Sequence, residues 1–123
     1  MSSSTTTNLF RKNLADEFPA KLGTAQMAFG DGGHTPETEE VLAALPTQTD
    51  LNNKLLVKDI LSSEKPDDYS VKVVGRLDQD ELVGVEVSEA GLFVDSELVG
   101  VRNFGPKNKE NDEVYDVEIT VLF

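Results

Sequence analysis

Apolar positions Phe10, Leu14 and Phe18 recur every fourth residue near the start of the chain, the spacing of one helical stripe. The pattern predicts a helix over residues 9–18, with Asn8 as its N-cap. Pro19 ends or kinks it, because proline lacks the N–H and its ring clashes with the preceding turn. Arg11, Lys12, Asp16 and Glu17 then fall on the solvent face. Residues 24–29 read as a short strand running into Gly30-Asp31-Gly32-Gly33-His34. Residues 37–45 predict a helical turn or two closed by Pro46. In residues 47–60, Leu51, Leu55 and Leu56 keep a helical spacing behind Thr49 or Asp50 as cap, while Val57 and Ile60 fit the start of a strand equally well.

From Tyr69 the period changes to two. Tyr69, Val71 and Val73 alternate with Ser70 and Lys72, which predicts a half-buried strand. Gly75 marks a bulge or bend, and Asp78-Gln79-Asp80-Glu81 the next turn. Residues 82–87 predict another strand, and residues 90–94 and 98–104 a hairpin around Asp95-Ser96-Glu97. The clearest strand is the last, residues 114–123. There Tyr115, Val117, Ile119, Val121 and Phe123 form a core face opposite a mostly polar one. No internal repeat is present. The elements add up to an α+β, β-dominated fold, an antiparallel sheet or sandwich with an N-terminal helix. It forms one domain over residues 8–123, preceded by a flexible polar arm, MSSSTTT, over residues 1–7.

The 123 residues suffice for one core that buries roughly 65% of the unfolded surface. With no cysteine, disulfides and thiolate metal sites are excluded. The N-terminus has no signal-peptide pattern and no stretch is long and apolar enough to span a membrane, so the expectation is a soluble protein without a membrane partner. A net charge of −12, with three scattered arginines, argues against nucleic acid as a partner. The acidic runs around Glu37, Glu64, Asp78 and Glu110 fall in expected loops and serve solvation or adaptation to high salt.

Three glycines within Gly30–Gly33 invite a chemical reading, since glycine admits positive φ and close approach. A phosphate cradle is excluded, because no lysine follows and Asp31 repels phosphate. Asp31 and His34 supply two metal ligands, with Glu37, Glu39 and Glu40 nearby, against the plainer reading of a solvent-exposed loop histidine. Asp78-Gln79-Asp80 begins like a calcium loop, but Gly84 falls at the seventh position instead of the sixth. A serine nucleophile would need His34, the single histidine, as base, and no elbow motif holds a serine. The expectation is therefore no enzyme, no cofactor, no metal and no catalytic residue.

Read as architecture, the same residues resemble the N-terminal, baseplate-attachment region of phage tail-collar fibre proteins. Met27 to Gly33 is similar to that family's M-A-x-G-D-G-G turn, and Gln48-Thr49-Asp50-Leu51 to its Q-T-x-L segment. The stretch from Glu89-Ala90-Gly91-Leu92-Phe93 to Gly100 resembles its E-x-G-L-[FY] segment and return strand. Asn103 to Lys107 resembles the stretch ending in Y-K-P, here G-P-K, and the last strand the one that closes the domain. The resemblance runs over about residues 9–123, with a short middle segment. It implies a structural virion protein of a tailed virus, a bacteriophage or archaeal virus, made in the host cytoplasm. Family members usually continue into a shaft and receptor-binding tip. The end at Phe123 thus points to a tail-fibre or baseplate adaptor carrying other fibre proteins. On this reading Gly30, Asp31, Gly32, Gly33 and Gly91 are structural turns, the chain bending at Gly91. Leu92, Phe93 and Phe104 are core residues or a candidate subunit interface. Partners are other tail, baseplate or fibre proteins and further copies of the chain in a three- or six-fold setting, the arm ordering on assembly. His34→Ala is then nearly silent, whereas Gly32→Val or Gly33→Val hurts folding or assembly. The alternative function is an acidic nucleic-acid mimic that occupies a basic partner.

Overall fold

A computed structural model describes residues 4–123, so the first three residues of the expected arm lie outside the described part; residues 4–7 are exposed and without regular structure. Helix α1, Asn8–Glu17, continues as a 3-10 segment over Phe18–Thr24, with Pro19 in its first turn, where a missing N–H costs nothing. Thr7, not Asn8, takes the N-cap position and makes no side-chain cap bond. The stripe that faces inward is not the expected one. Ala15, Phe18 and Leu22 are buried, whereas Phe10 is 55% and Leu14 37% exposed. Arg11 explains the roll. Its Nε donates to the Phe123 carbonyl at 2.8 Å and its guanidinium stands 4.9 Å above the Tyr69 ring, which turns the Arg11–Ala15–Phe18 side toward the body.

Seven strands follow: β1 Gln26–Gly30, β2 Lys54–Asp59, β3 Ser62–Asp67, β4 Ser70–Leu77, β5 Glu86–Val94, β6 Glu97–Asn108 and β7 Tyr115–Leu122. They form two sheets in the orders β2-β1-β5-β6 and β3-β4-β7, with every pairing antiparallel. This is the expected β-dominated α+β class. The sheets face each other across one core, with Met27, Phe29, Ala90 and Leu92 from the first and Val71, Val73, Leu77, Val117 and Ile119 from the second. β7 keeps its alternation: Val117 and Ile119 are buried, while Asp116, Glu118 and Thr120 are exposed.

Several elements differ from the pattern. Gly75 makes no bulge; it pairs in unbroken register with Val117. It lets the sheets approach closely, since a Cβ there would lie 2.4 Å from Met27 Cγ. Residues 37–45 form no helix, because so short a helix has no packing face to hold it. Glu39 has φ 57° and only an isolated bridge joins His34 to Val41. Residues 54–59 settle as strand, the second of the two readings. Residues 82–85 are loop, with Leu82 at φ 49° and Gly84 at φ 82°. The hairpin turn is Asp95-Ser96 alone, both at positive φ, with Val94 paired to Glu97. β3 was not foreseen, because its sequence SSEKPD is polar and holds a proline. It is an edge strand, where Pro66 falls at a slip in register and a missing N–H is tolerated.

Candidate functional site: a glycine clasp around a buried carboxylate

β1 pairs with β5 so that Ala28 lies opposite Gly91 and Gly30 opposite Glu89. Those positions face away from the inter-sheet core, and the chain at residues 51–53 lies over them. Leu51, buried, sits on Gly91, where a Cβ would come within 2.7 Å of Leu51 Cδ2. Gly91 is therefore no corner. The strand continues through it in unbroken register with β1, and the glycine makes room for a leucine.

Glu89 is fully buried. Its Oε2 accepts from the backbone N–H of Gly32 at 2.5 Å and of Asn53 at 2.9 Å, and its Oε1 from that of Asn52 at 2.7 Å. Three backbone dipoles thus replace the water a buried carboxylate would lose. The Asn52 amide donates to the Gly32 carbonyl at 2.9 Å and that of Asn53 to Asp31 Oδ1 at 2.6 Å, closing the two loops on each other. The glycines follow from this crowding, since none of Gly30, Gly32 and Gly33 has positive φ. A Cβ on Gly30 would lie 2.1 Å from the Asn53 carbonyl oxygen, one on Gly32 2.5 Å from Glu89 Oε2, and one on Gly33 2.0 Å from the Ser88 carbonyl oxygen. They permit close approach of chain to chain.

The neighbouring layer is built on Ser88, also fully buried. Its Oγ accepts from the Gly33 N–H at 2.9 Å and meets His34 Nδ1 at 2.7 Å. His34 Nε2 lies 3.5 Å from Glu86 Oε2. The pattern of donors closes with the hydroxyl donating to Nδ1 and Nε2–H turned toward Glu86. His34 is thus a buried latch and not the exposed loop residue the sequence suggested; its side chain is 5% exposed. Serine, histidine and carboxylate are the types of a hydrolytic relay, but Ser88 is sealed from solvent and already accepts a backbone bond, so this geometry fixes a loop. Asp31 and His34 line one shallow depression of about 370 Å3 with Pro36, Asn53 and Glu86. Among the described residues no group of three or more histidine or acidic side chains is arranged to hold a metal ion.

A second buried charge, Lys109, lies near the start of β5 and is 1% exposed. Its Nζ donates to the carbonyls of Asp78, Gln79 and Glu110 at 2.9, 3.1 and 3.1 Å. The turn that begins like a calcium loop therefore wraps an ammonium group of its own chain. Asp78 also bonds Lys58 at 2.9 Å, and that hydrogen bond, first among the causes, holds its carboxyl below the usual range. Asp116 is lowered likewise by Arg76, which grips it through two bonds of 2.7 and 2.9 Å. Part of the acidic surface is thus committed to internal pairs.

Of the other singled-out residues, Leu92 is fully buried in the core and out of reach of another subunit. Phe93 is half-buried with Lys54 Nζ 5.1 Å from its ring centroid. Phe104 lines a groove of about 240 Å3 between the edge strands β6 and β7, with Arg102, Tyr115 and Val117. Sequence reasoning passed over Ser88, Asn52, Asn53 and Lys109. Only Glu89 left a trace, as the one charge inside the otherwise uncharged run Val87–Val94. No family model matches the chain. No curated protein matches it either.

Proposed function

We propose that the chain is a structural component of a virus tail, an attachment or adaptor module at the fibre base or baseplate. One observation carries the reading. Three of the stretches that resemble tail-collar fibre proteins, 27–33, 48–51 and 89–93, lie far apart in sequence and meet in one clasp. There Leu51 packs on Gly91 and Glu89 holds the N–H of Gly32. A motif set that converges on packing, with its polar groups spent on one another, is what a rigid mounting block requires. Its partners on this reading are other tail proteins and further copies of itself. Immunogold electron microscopy on particles purified from the source culture tests it. Label at the distal tail or fibre base is expected. Unlabelled particles with the protein free in the lysate, captured there by a basic partner, would overturn it in favour of the nucleic-acid mimic.

A further inference from the structure

Residues 36–47 are exposed without exception, so the loop that follows His34 has no buried side chain of its own to hold it. Backbone bonds at its root hold it instead. Leu42 N donates to the Gly33 carbonyl at 2.9 Å and Thr35 N to the Glu40 carbonyl at 2.9 Å, and a bridge joins His34 to Val41. Asn103 Nδ2 adds one bond to the Leu42 carbonyl at 3.0 Å. Gly33 and His34 are thus the floor on which the loop stands, and Ser88 fixes that floor through the Gly33 N–H and the His34 ring. His34 is the single histidine of the chain. Histidine is the side chain whose ordinary charge change falls between about pH 5 and pH 8. Counting donors shows that the latch needs its neutral form. Ser88 is fully buried, and its Oγ has two partners within hydrogen-bond reach. The Gly33 N–H can only donate, so the hydroxyl proton has Nδ1 as its acceptor. An imidazolium carries a proton on both nitrogens and accepts nothing. Protonation in place would direct two N–H groups at Oγ and leave the sealed hydroxyl proton without an acceptor. The charged groups that face the ring offset little of this. Glu86 from β5 stands 3.5 Å from Nε2 with its side chain 52% exposed, so water screens it. Asp31, on the ring's own loop, lines the same depression, and its Oδ1 is already held by the Asn53 amide. Asn53 and, from β6, Asn103 bring no charge, and Glu37, Glu39 and Glu40 beyond the ring are exposed.

We infer that acid opens this latch: on taking up a proton His34 leaves Ser88 and frees the loop 36–50, while the two sheets stay closed. Glu89 keeps residues 52–53 in place, so the release ends at the clasp. The open, hydrated ring takes the proton that the closed ring has no room for. The closed loop is therefore fully favoured above about pH 6.5, and the ratio of closed to open falls about tenfold for each pH unit below that. The latch does not depend on a place in a virus tail.

Hydrogen exchange on the full-length chain, resolved by amide and corrected for the intrinsic pH dependence of exchange, tests it between about pH 8 and pH 5. The Leu42 amide is expected to keep its protection down to about pH 6.5 and to lose about tenfold per pH unit below, while Ile119 and Val121 in β7 keep theirs. His34→Asn offers Ser88 a carbonyl oxygen that does not titrate, so Leu42 protection in that variant is expected to stay flat across the range. The carbon-bound ring protons of wild-type His34, followed by NMR, are expected to titrate with the same midpoint as the Leu42 loss, a readout that decides even where the variant does not fold. Leu42 protection that is constant or rises toward pH 5 overturns the inference. So does a loss that persists undiminished in His34→Asn, a ring that titrates while Leu42 stays protected, or a parallel loss in β7.

Discussion

Among the described residues the molecule buries two charges, Glu89 and Lys109, and solvates them in opposite ways. Glu89 is an anion ringed by the N–H groups of Gly32, Asn52 and Asn53, and Lys109 a cation ringed by the carbonyls of Asp78, Gln79 and Glu110. A glutamate stem is short, so the backbone must come to it. The chain near Glu89 is crowded until only glycine fits at residues 30, 32 and 33. A lysine stem is long and reaches its carbonyls, so the Asp78 turn needs no glycine at the contact. The glutamate also joins three stretches distant in sequence, whereas the lysine bonds one distant turn and its own neighbour. The anionic clasp should therefore be the more costly of the two to break.

The largest expected effect is at the glycines. Gly33→Val places carbon against the Ser88 carbonyl, a backbone group that cannot step aside, and should cost more than about 4 kcal/mol or abolish folding. Urea denaturation with yield of soluble protein measures it. Next, Glu89→Ala strands three N–H donors, each at about 1–3 kcal/mol, and should cost about 3–5 kcal/mol by the same denaturation. Lys109→Met keeps the stem and strands carbonyls, which tolerate poor satisfaction better, so about 1–3 kcal/mol is expected. A Lys109 variant less stable than the Glu89 variant would reverse the ranking. His34→Ala removes the Ser88 partner and should also cost about 1–3 kcal/mol, where the sequence alone argued for silence.

The smallest effect separates both clasps from the surface pairs. Asp78 and Asp116 are held below the ordinary carboxylate value of 3.8 by Lys58 and Arg76. A lowered folded value means that their stabilisation is complete above 3.8 and is lost as pH falls through the lower folded values. Denaturation midpoints followed from about pH 5 to pH 2 should show that loss, and Arg76→Gln should flatten the Asp116 share. An unchanged slope in that variant would show that the pair contributes nothing.

Legibility followed the physics of each segment. β7 was readable to within one residue at each end, because one face is wet and one dry, so period two is written in its side chains. The hairpin at Asp95-Ser96 announced itself by turn chemistry. The α1 stripe misled, because Phe10 and Leu14 have the spacing of a buried face while Arg11 bonds and stacks on the body. β3 left no signal, because an exposed edge needs no apolar alternation.

By itself the sequence determined the β-dominated class, the position of the helix and the final strand, and it marked Gly30, Gly32 and Gly33 as a point where chains can approach closely. These follow from local periodicity and from side chains that are simply missing. Only the tertiary structure decided what those glycines make room for, that Glu89 and Lys109 are buried, that His34 is a latch, and which side of α1 remains bare. Each of those depends on a neighbour distant in the chain, such as Asn53 against Gly30 or Leu51 against Gly91, and no local pattern encodes a partner that only folding brings into reach.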